Sequence, residues 1–355
     1  MVDGVRERVP ALNAVLSRAL QAPGADTRAA AVGCIERYCE GNAEGQLLLA
    51  ATVTPVGDAA HAVPVDQRAF GVMVAEALLD RTRQRDAAAT ARAALVLAAV
   101  LKDNPQGKER LLHMPLEEGA RSRADFLLPR CARVLRAAVE EQKEEGGGNG
   151  GGDDGRLLRC AMLRLLLVWL DGCPAAVAQL LEPPAHLPLL VELAAGGGVG
   201  MVAGDKSNVH ADVHVAGLAA LTLGAALTFN EGGGETDGAA VVDVVVERVG
   251  LYRVFAAVDR LVEHPAFSAA AAAPPPVPLQ PPRGDGGGDR TGAAPTAAAA
   301  AAAAPEAAEA ALAAALYPHD FAKWAAAFVG EVQRAMVTLY ARPKQVHSRG
   351  ILCPF

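Results

Sequence analysis

The sequence predicts an all-α fold built as a helical-repeat superhelix, and three observations carry that prediction. Apolar residues recur at helical spacing along most of the chain, while alternation of apolar and polar residues is confined to VVDVVV at 241–246. The core material is Ala, Leu and Val with only 4% aromatics, which suits closely spaced helices better than a β-sandwich. A tight helix–corner–helix motif also recurs, and its clearest copy is Arg156 to Leu181, RLLRCAMLRLLLVWLDGCPAAVAQLL.

That copy sets the pattern for the rest. Its first helix reads apolar on every side, because Arg156, Arg159, Arg164 and Asp171 do not collect into one wet face at about 100° per residue. The unbroken apolar run Leu165 to Leu170 falls far short of the roughly 18 residues of a membrane span. An inner helix covered on both flanks is the consistent reading. Gly172 suits the position just past a helix end, and Pro174 suits the first turn of the next helix. In LVLAAVLKDNPQGKERLL, Leu101, Asn104, Pro105, Leu111 and Leu112 correspond to Leu170, Cys173, Pro174, Leu180 and Leu181. RYCEGNAEGQLLL carries the corner at Asn42 and Gly45, and LTLGAALTFNEGGGE places it again at Asn230. The corners at 42, 104, 173 and 230 are 62, 69 and 57 residues apart. An armadillo or HEAT unit takes about 40 to 47, so the expected architecture is armadillo/HEAT-like with inserted loops or an extra helix per unit. No unit buries its own faces; stacking supplies the core.

Taken in order, a helix over 5–20 presents Val5, Val9, Leu12, Val15, Leu16 and Leu20 and ends at Pro23 and Gly24. Asp26 or Thr27 caps a second helix to about Glu40, and a short helix follows near Glu44 to Thr52. After a Pro- and Gly-bearing loop over 54–64, a helix from Asp66 to about Arg83 buries Phe70, Val74, Leu78 and Leu79. Helices over 87–102, 107–113 and Ser122 to about Gln142 complete the first half. Near the far end, 306–316 and His319 to about Tyr340 return to helical spacing. Two segments stand outside the stack as disordered insertions: about 142–155, which includes GGGNGGGDDG, and about 268–305, which includes PPPVPLQPPRGDGGGDR and an Ala run. The repeat unit thus spans 1–341, with an irregular tail at 342–355.

Charge and cysteine usage narrow the function class. A net charge of −7 provides no basic field for phosphate backbones, which disfavours nucleic acid and points to protein partners. The six cysteines at 34, 39, 131, 160, 173 and 353 form no Cys-x-x-Cys pair and read as reduced, mostly buried thiols. The N-terminus MVDGVRERVPALNAVL lacks the apolar core of a signal peptide, so a cytoplasmic protein is expected. Cys353 stands third from last, where a prenylation box needs it fourth, so membrane contact is expected to be peripheral.

Tests for chemistry fail one by one. His210 and His214 share a helix face in HADVH, but Ala211 stands where a zinc protease needs its Glu, no third ligand is placed nearby, and a wet helix start is the expectation. The Gly-rich AAGGGVGMVAGDKS resembles a phosphate loop until Asp205 puts a carboxylate between Gly204 and Lys206. Cys173 beside Asp171 has no histidine to activate it, and Trp169 and Trp324 lie on apolar helices as core residues. No catalytic, cofactor-binding or metal residue is assigned, and a non-enzymatic binding surface is expected.

Five blocks in register then resemble a known family: RYCEGNAEGQLLLAATVTP (37–55), ARAALVLAAVLKDNPQGKERLL (91–112), MLRLLLVWLDGCPAAVAQLL (162–181), VAGLAALTLGAALTFN (215–230) and HDFAKWAAAFVGEVQRAMVTLY (319–340). Their order and spacing resemble the later half of the armadillo-like head of the general vesicular transport factor family, Golgi vesicle-tethering proteins. The early head, the heptad tail and the terminal acidic segment have no counterpart here. The resemblance implies vesicle tethering in transport between endoplasmic reticulum and Golgi and within the Golgi, peripheral association with Golgi membrane, and binding of a Rab-type GTPase, golgins or membrane-fusion proteins. It transfers no contact residue, and without the coiled-coil tail it leaves homodimerisation open. The alternative is a generic armadillo-type adaptor unrelated to vesicles, which would line a concave groove with asparagines from successive inner helices.

Overall fold

The computed structural model describes residues 11–54, 68–79, 86–116, 125–144, 153–196, 212–232, 236–274 and 309–341. Among these the chain is helical, and the single β feature is an isolated bridge between Pro115 and Phe126. The helices in order are α1 (Ala11–Gln21), α2 (Ala25–Cys39), α3 (Ala43–Ala51), α4 (Phe70–Leu79), α5 (Ala87–Leu101) and α6 (Pro105–Leu112). There follow α7 (Leu127–Glu144), α8 (Asp153–Leu170), α9 (Pro174–Leu181), α10 (His186–Ala194), α11 (Val213–Thr228) and α12 (Gly238–Arg248). The chain continues through α13 (Leu251–Glu263), α14 (Pro265–Ala272), α15 (309–316) and α16 (His319–Tyr340).

The repeat unit is a helix triplet, which accounts for the long spacing between corners. In each of the first three units a flanking helix (α1, α4, α7) leads into an inner helix (α2, α5, α8), and the corner then launches a short third helix (α3, α6, α9). Inner helices stack on inner helices: α2 on α5, α5 on α8, α8 on α11 and α11 on α16. The short helices form their own row, α3 against α6 and α6 against α9. Burial follows from this sandwiching. Every residue from Ala88 to Leu101 in α5, from Leu158 to Leu170 in α8 and from His214 to Leu227 in α11 is buried, the pattern of helices covered on both sides. The apolar reading of the helix holds from Leu158 onward: Arg159 and Arg164 are buried, and Arg164 pairs with Glu36.

The corners are built by one local device. Gly41, Asp103 and Gly172 each take positive φ (65°, 55° and 62°), which turns the chain out of the inner helix. The next residue starts the third helix: the Asn42 and Asn104 side chains accept from the backbone N–H groups of Gly45 and Gly107, at 3.0 and 2.9 Å. The glycine three residues past each Asn leaves room for the cap: a Cβ on Gly45 would lie 2.3 Å from Asn42 Nδ2 and force it to shift, and one on Gly107 would lie a tight 3.2 Å from Asn104 Cγ. At the third corner Ala176 takes that place and Cys173 makes no side-chain cap.

A hydrogen bond repeats between units with the same register. Gln46 Nε2 donates to the Lys102 carbonyl at 2.8 Å, and Lys108 Nζ donates to the Asp171 carbonyl at 2.6 Å. In each case the residue four past one corner reaches the carbonyl two before the next. Val177 holds the donor position in the third unit and has nothing to give; Thr228, at the matching acceptor position, leaves its buried hydroxyl without a partner. Asn104 adds a further link by donating Nδ2 to the Ala43 carbonyl at 3.2 Å. Asn104→Ala is accordingly expected to cost about 1–2 kcal/mol, read as a lower urea midpoint, whereas Cys173→Ala removes no cap and should shift the midpoint far less.

Several expectations need correction. Asn230 is not a fourth corner of this type: Phe229 before it has φ −101°, and its side chain closes a turn by accepting from Gly232 N–H and donating to the Thr236 carbonyl. The next helix starts only at Gly238, capped by Asp237. VVDVVV lies within that helix, as the all-α reading expects. The helix expected from Ser122 starts at Leu127, because Phe126 first pairs with Pro115. Helix α7 runs on to Glu144 and α8 begins at Asp153, while α14 extends to Ala272; the remainder of the two proposed insertions, 145–152 and 275–305, lies outside the described residues, as do 306–308. So do 5–10, 55–67 and the tail beyond 341.

Candidate functional site

The residues singled out in the sequence disperse. His210, Asp205, Lys206 and Cys353 lie outside the described residues. Trp169 is fully buried, and its Nε1–H donates to the Lys108 carbonyl at 3.3 Å. Trp324 is partly buried and stacks on Phe328 with ring centroids 5.2 Å apart. Cys39, Cys131, Cys160 and Cys173 are buried free thiols and Cys34 is an exposed one. Burial pushes the Cys39 and Cys131 thiols up to about 12 and Cys160 well above its ordinary value, so all three stay protonated.

His214 departs most from expectation. It is not on a wet helix start but fully buried, in a polar cluster that joins four segments distant in sequence. Asp212 caps α11 by accepting from the His214 backbone N–H at 3.0 Å. Arg156 from α8 donates Nε to Asp212 Oδ2 and Nη1 to Glu309 Oε2, both at 2.6 Å. Glu309, at the start of α15, places Oε1 2.6 Å from His214 Nε2, and the other ring nitrogen, Nδ1, lies 2.7 Å from Tyr317 Oη. His264, between α13 and α14, packs edge-on against His214 with centroids 4.5 Å apart.

The charge states follow from burial set against these bonds. Burial alone would raise the Glu309 carboxyl, but the hydrogen bonds from Arg156 and His214 outweigh it and hold it at about 2. Burial lowers His214, only partly offset by the Glu309 hydrogen bond, so the imidazole is neutral and donates to an ionised carboxylate. Arg156, with two carboxylates, is held above its ordinary value despite burial. The cluster fastens α15 to α8 and α11, and with it the last layer of the stack.

A second feature is a groove of about 460 Å³ where α2, α3 and α5 meet the start of α16. Its floor is Arg164 of α8, nearly inaccessible, which donates to Glu36 Oε1 at 2.9 Å and to the Ala315 carbonyl at 3.1 Å and lies 5.0 Å from the Phe321 ring centroid. Arg37, Glu40, Lys102, Asp103 and Asp320 rim it with charge of both signs. No asparagine lines it, and Asn42 and Asn104 are committed to capping.

Residues 3–285 match the family described as Uso1/p115-like vesicle-tethering protein, head region. The chain belongs to that family. It is 29% identical to golgin candidate 6 of Arabidopsis thaliana over 271 residues, 74% of this chain and 28% of that protein. It is 25% identical to general vesicular transport factor p115 of Bos taurus and of Homo sapiens over 244 residues, 68% of this chain and 22% of theirs. The chain thus spans about a quarter of the length of these curated relatives. The family is one of tethering factors and not of enzymes. The match ends ahead of α15 and α16, which close the stack against α11.

Proposed function

We propose that this chain is a non-enzymatic vesicle-tethering scaffold in endoplasmic reticulum to Golgi and intra-Golgi transport, acting in the cytoplasm and peripherally at Golgi membrane. The observation that carries the proposal is the family match over 3–285, laid on a continuous stack of helix triplets. Partners are proteins: a Rab-type GTPase, golgins or membrane-fusion proteins, held on the helical-repeat surface of a head unit spanning 1–341. Among the described residues no helix is long and apolar enough to cross a membrane, which is consistent with peripheral contact.

The groove between α2, α3, α5 and α16 is the proposed contact surface, since it is concave, carries both charges on its rim and is joined to several layers at once. Arg37 is exposed, and Lys102 is partly so; their charges can be changed without touching the core. The double reversal Arg37→Glu with Lys102→Glu is expected to weaken capture of purified GTP-loaded Rab-type GTPases, golgins or membrane-fusion proteins about three- to tenfold. Thermal melting should stay within a degree or so of the parent, as is usual for surface changes. Binding to none of these proteins by the parent chain would overturn the tethering reading; binding unchanged by the reversal would move the contact surface elsewhere.

A further inference from the structure

We propose that His214, His264 and Glu309 form a site for one divalent transition-metal ion, zinc by its ligand set, which ties the α13–α14 corner and α15 to α11. The three residues are brought together from positions 50 and 45 apart in sequence, and one ligand atom from each lies within 4.8 Å of the others. Bonds of about 2.0–2.1 Å in a tetrahedral zinc site place ligand atoms roughly 3.3 Å apart. The distances from Glu309 Oε1 to His214 Nε2 and His264 Nε2, 2.6 and 3.8 Å, bracket that spacing. Side-chain shifts that part the Glu309–His214 pair and draw His264 in would admit an ion.

The groups that orient two of the ligands are already in place. Tyr317 Oη fixes His214 through Nδ1, and Arg156 holds Glu309 through Oε2. Without an ion, His214 Nε2–H donates to Glu309 Oε1; a metal would part this pair and take both atoms as ligands, with the groups behind them already in place. A metal on Nε2 places the ring proton on Nδ1, where Tyr317 Oη accepts it. His264 turns Nε2 toward the same carboxylate, 3.8 Å from Glu309 Oε1. Charge also fits, since Arg156 faces both Asp212 and Glu309 and the surplus negative charge meets a dication. Two imidazoles and one carboxylate suit zinc, whereas magnesium and calcium require oxygen shells. The side chains of His264 and Glu309 are 25% and 30% exposed, which leaves a water-accessible fourth position. The role is structural: the ion joins the last helices to the stack.

The test titrates the full chain, stripped with chelator, first with Co²⁺ and then with Zn²⁺. One ion per chain is expected, with the visible absorption of tetrahedral cobalt in a nitrogen and oxygen field, bleached by zinc, and with zinc raising the melting temperature. His264→Gln should abolish the spectrum and the zinc-dependent melting shift while retaining the helical circular dichroism signal, because His264 sits at a partly exposed corner. Tyr317→Phe should retain the site but weaken zinc about 10–100-fold. No stoichiometric binding, binding unchanged in His264→Gln, or a thiolate-to-cobalt charge-transfer band that persists in that variant would each overturn the proposal, the last by assigning the metal to cysteines.

Discussion

Replacing Trp169 by alanine is expected to lower stability by about 3–5 kcal/mol, the largest single effect in the molecule. The side chain is fully buried near the end of α8 and faces the short-helix row. Its indole donates to the Lys108 carbonyl, and Lys108 Nζ in turn donates to the Asp171 carbonyl two residues past the tryptophan. The pair thus locks the second corner to the third in both directions. Truncation leaves a cavity at a contact between units, and in a stacked array each unit is stabilised chiefly by its neighbours. Trp169→Phe keeps most of the volume and loses one N–H donor, so about 1–2 kcal/mol is expected there. Urea unfolding followed by far-ultraviolet circular dichroism separates the two; an alanine variant with the parent's midpoint would show that α8 is not the centre of the stack.

What the sequence made legible was what is local. The corners at Asn42, Asn104 and Cys173 could be read because a residue that tolerates positive φ, a helix start and, twice, an Asn cap are adjacent in the chain. Asn230 misled because the asparagine was matched without the preceding residue: Phe229 does not take positive φ, and the glycines that follow delay the helix to Asp237 and Gly238. Helices α13 and α14 were announced by Gly250 and by Pro265 at a first helical position, signals that periodicity alone passes over. The polar cluster was out of reach. HADVH drew attention to His214 but offered His210 as its partner, whereas the fold supplies His264 and Glu309 from the far side of more than forty residues. In the same way the arginines of α8 could be recognised as having no wet face, but nothing local names Glu36, Asp212 or Glu309 as their partners.

Glu36→Leu is expected to cost about 2–3 kcal/mol, while adding Arg164→Met should return stability to near that of the parent. Arg164 is only 3% exposed, and without Glu36 its guanidinium retains just the Ala315 carbonyl and the face of Phe321, with Nε already unpartnered. Removing one member of a buried pair leaves a charge uncompensated, at roughly 3–5 kcal/mol when both are enclosed. Glu36 is 22% exposed at the groove, so water relieves part of that cost. Arg164→Met alone leaves a carboxylate that the groove can hydrate, so its penalty is smaller, about 1 kcal/mol. A double-mutant cycle by urea unfolding should therefore show coupling of about 3–4 kcal/mol, and strictly additive effects would deny the pair any role. The cycle also separates shape from charge in recognition. Met and Leu fill similar volume between α2, α8 and α16, so a double variant that melts like the parent yet captures less partner protein would place recognition in the charges of the groove. One that captures normally would leave recognition to its rim.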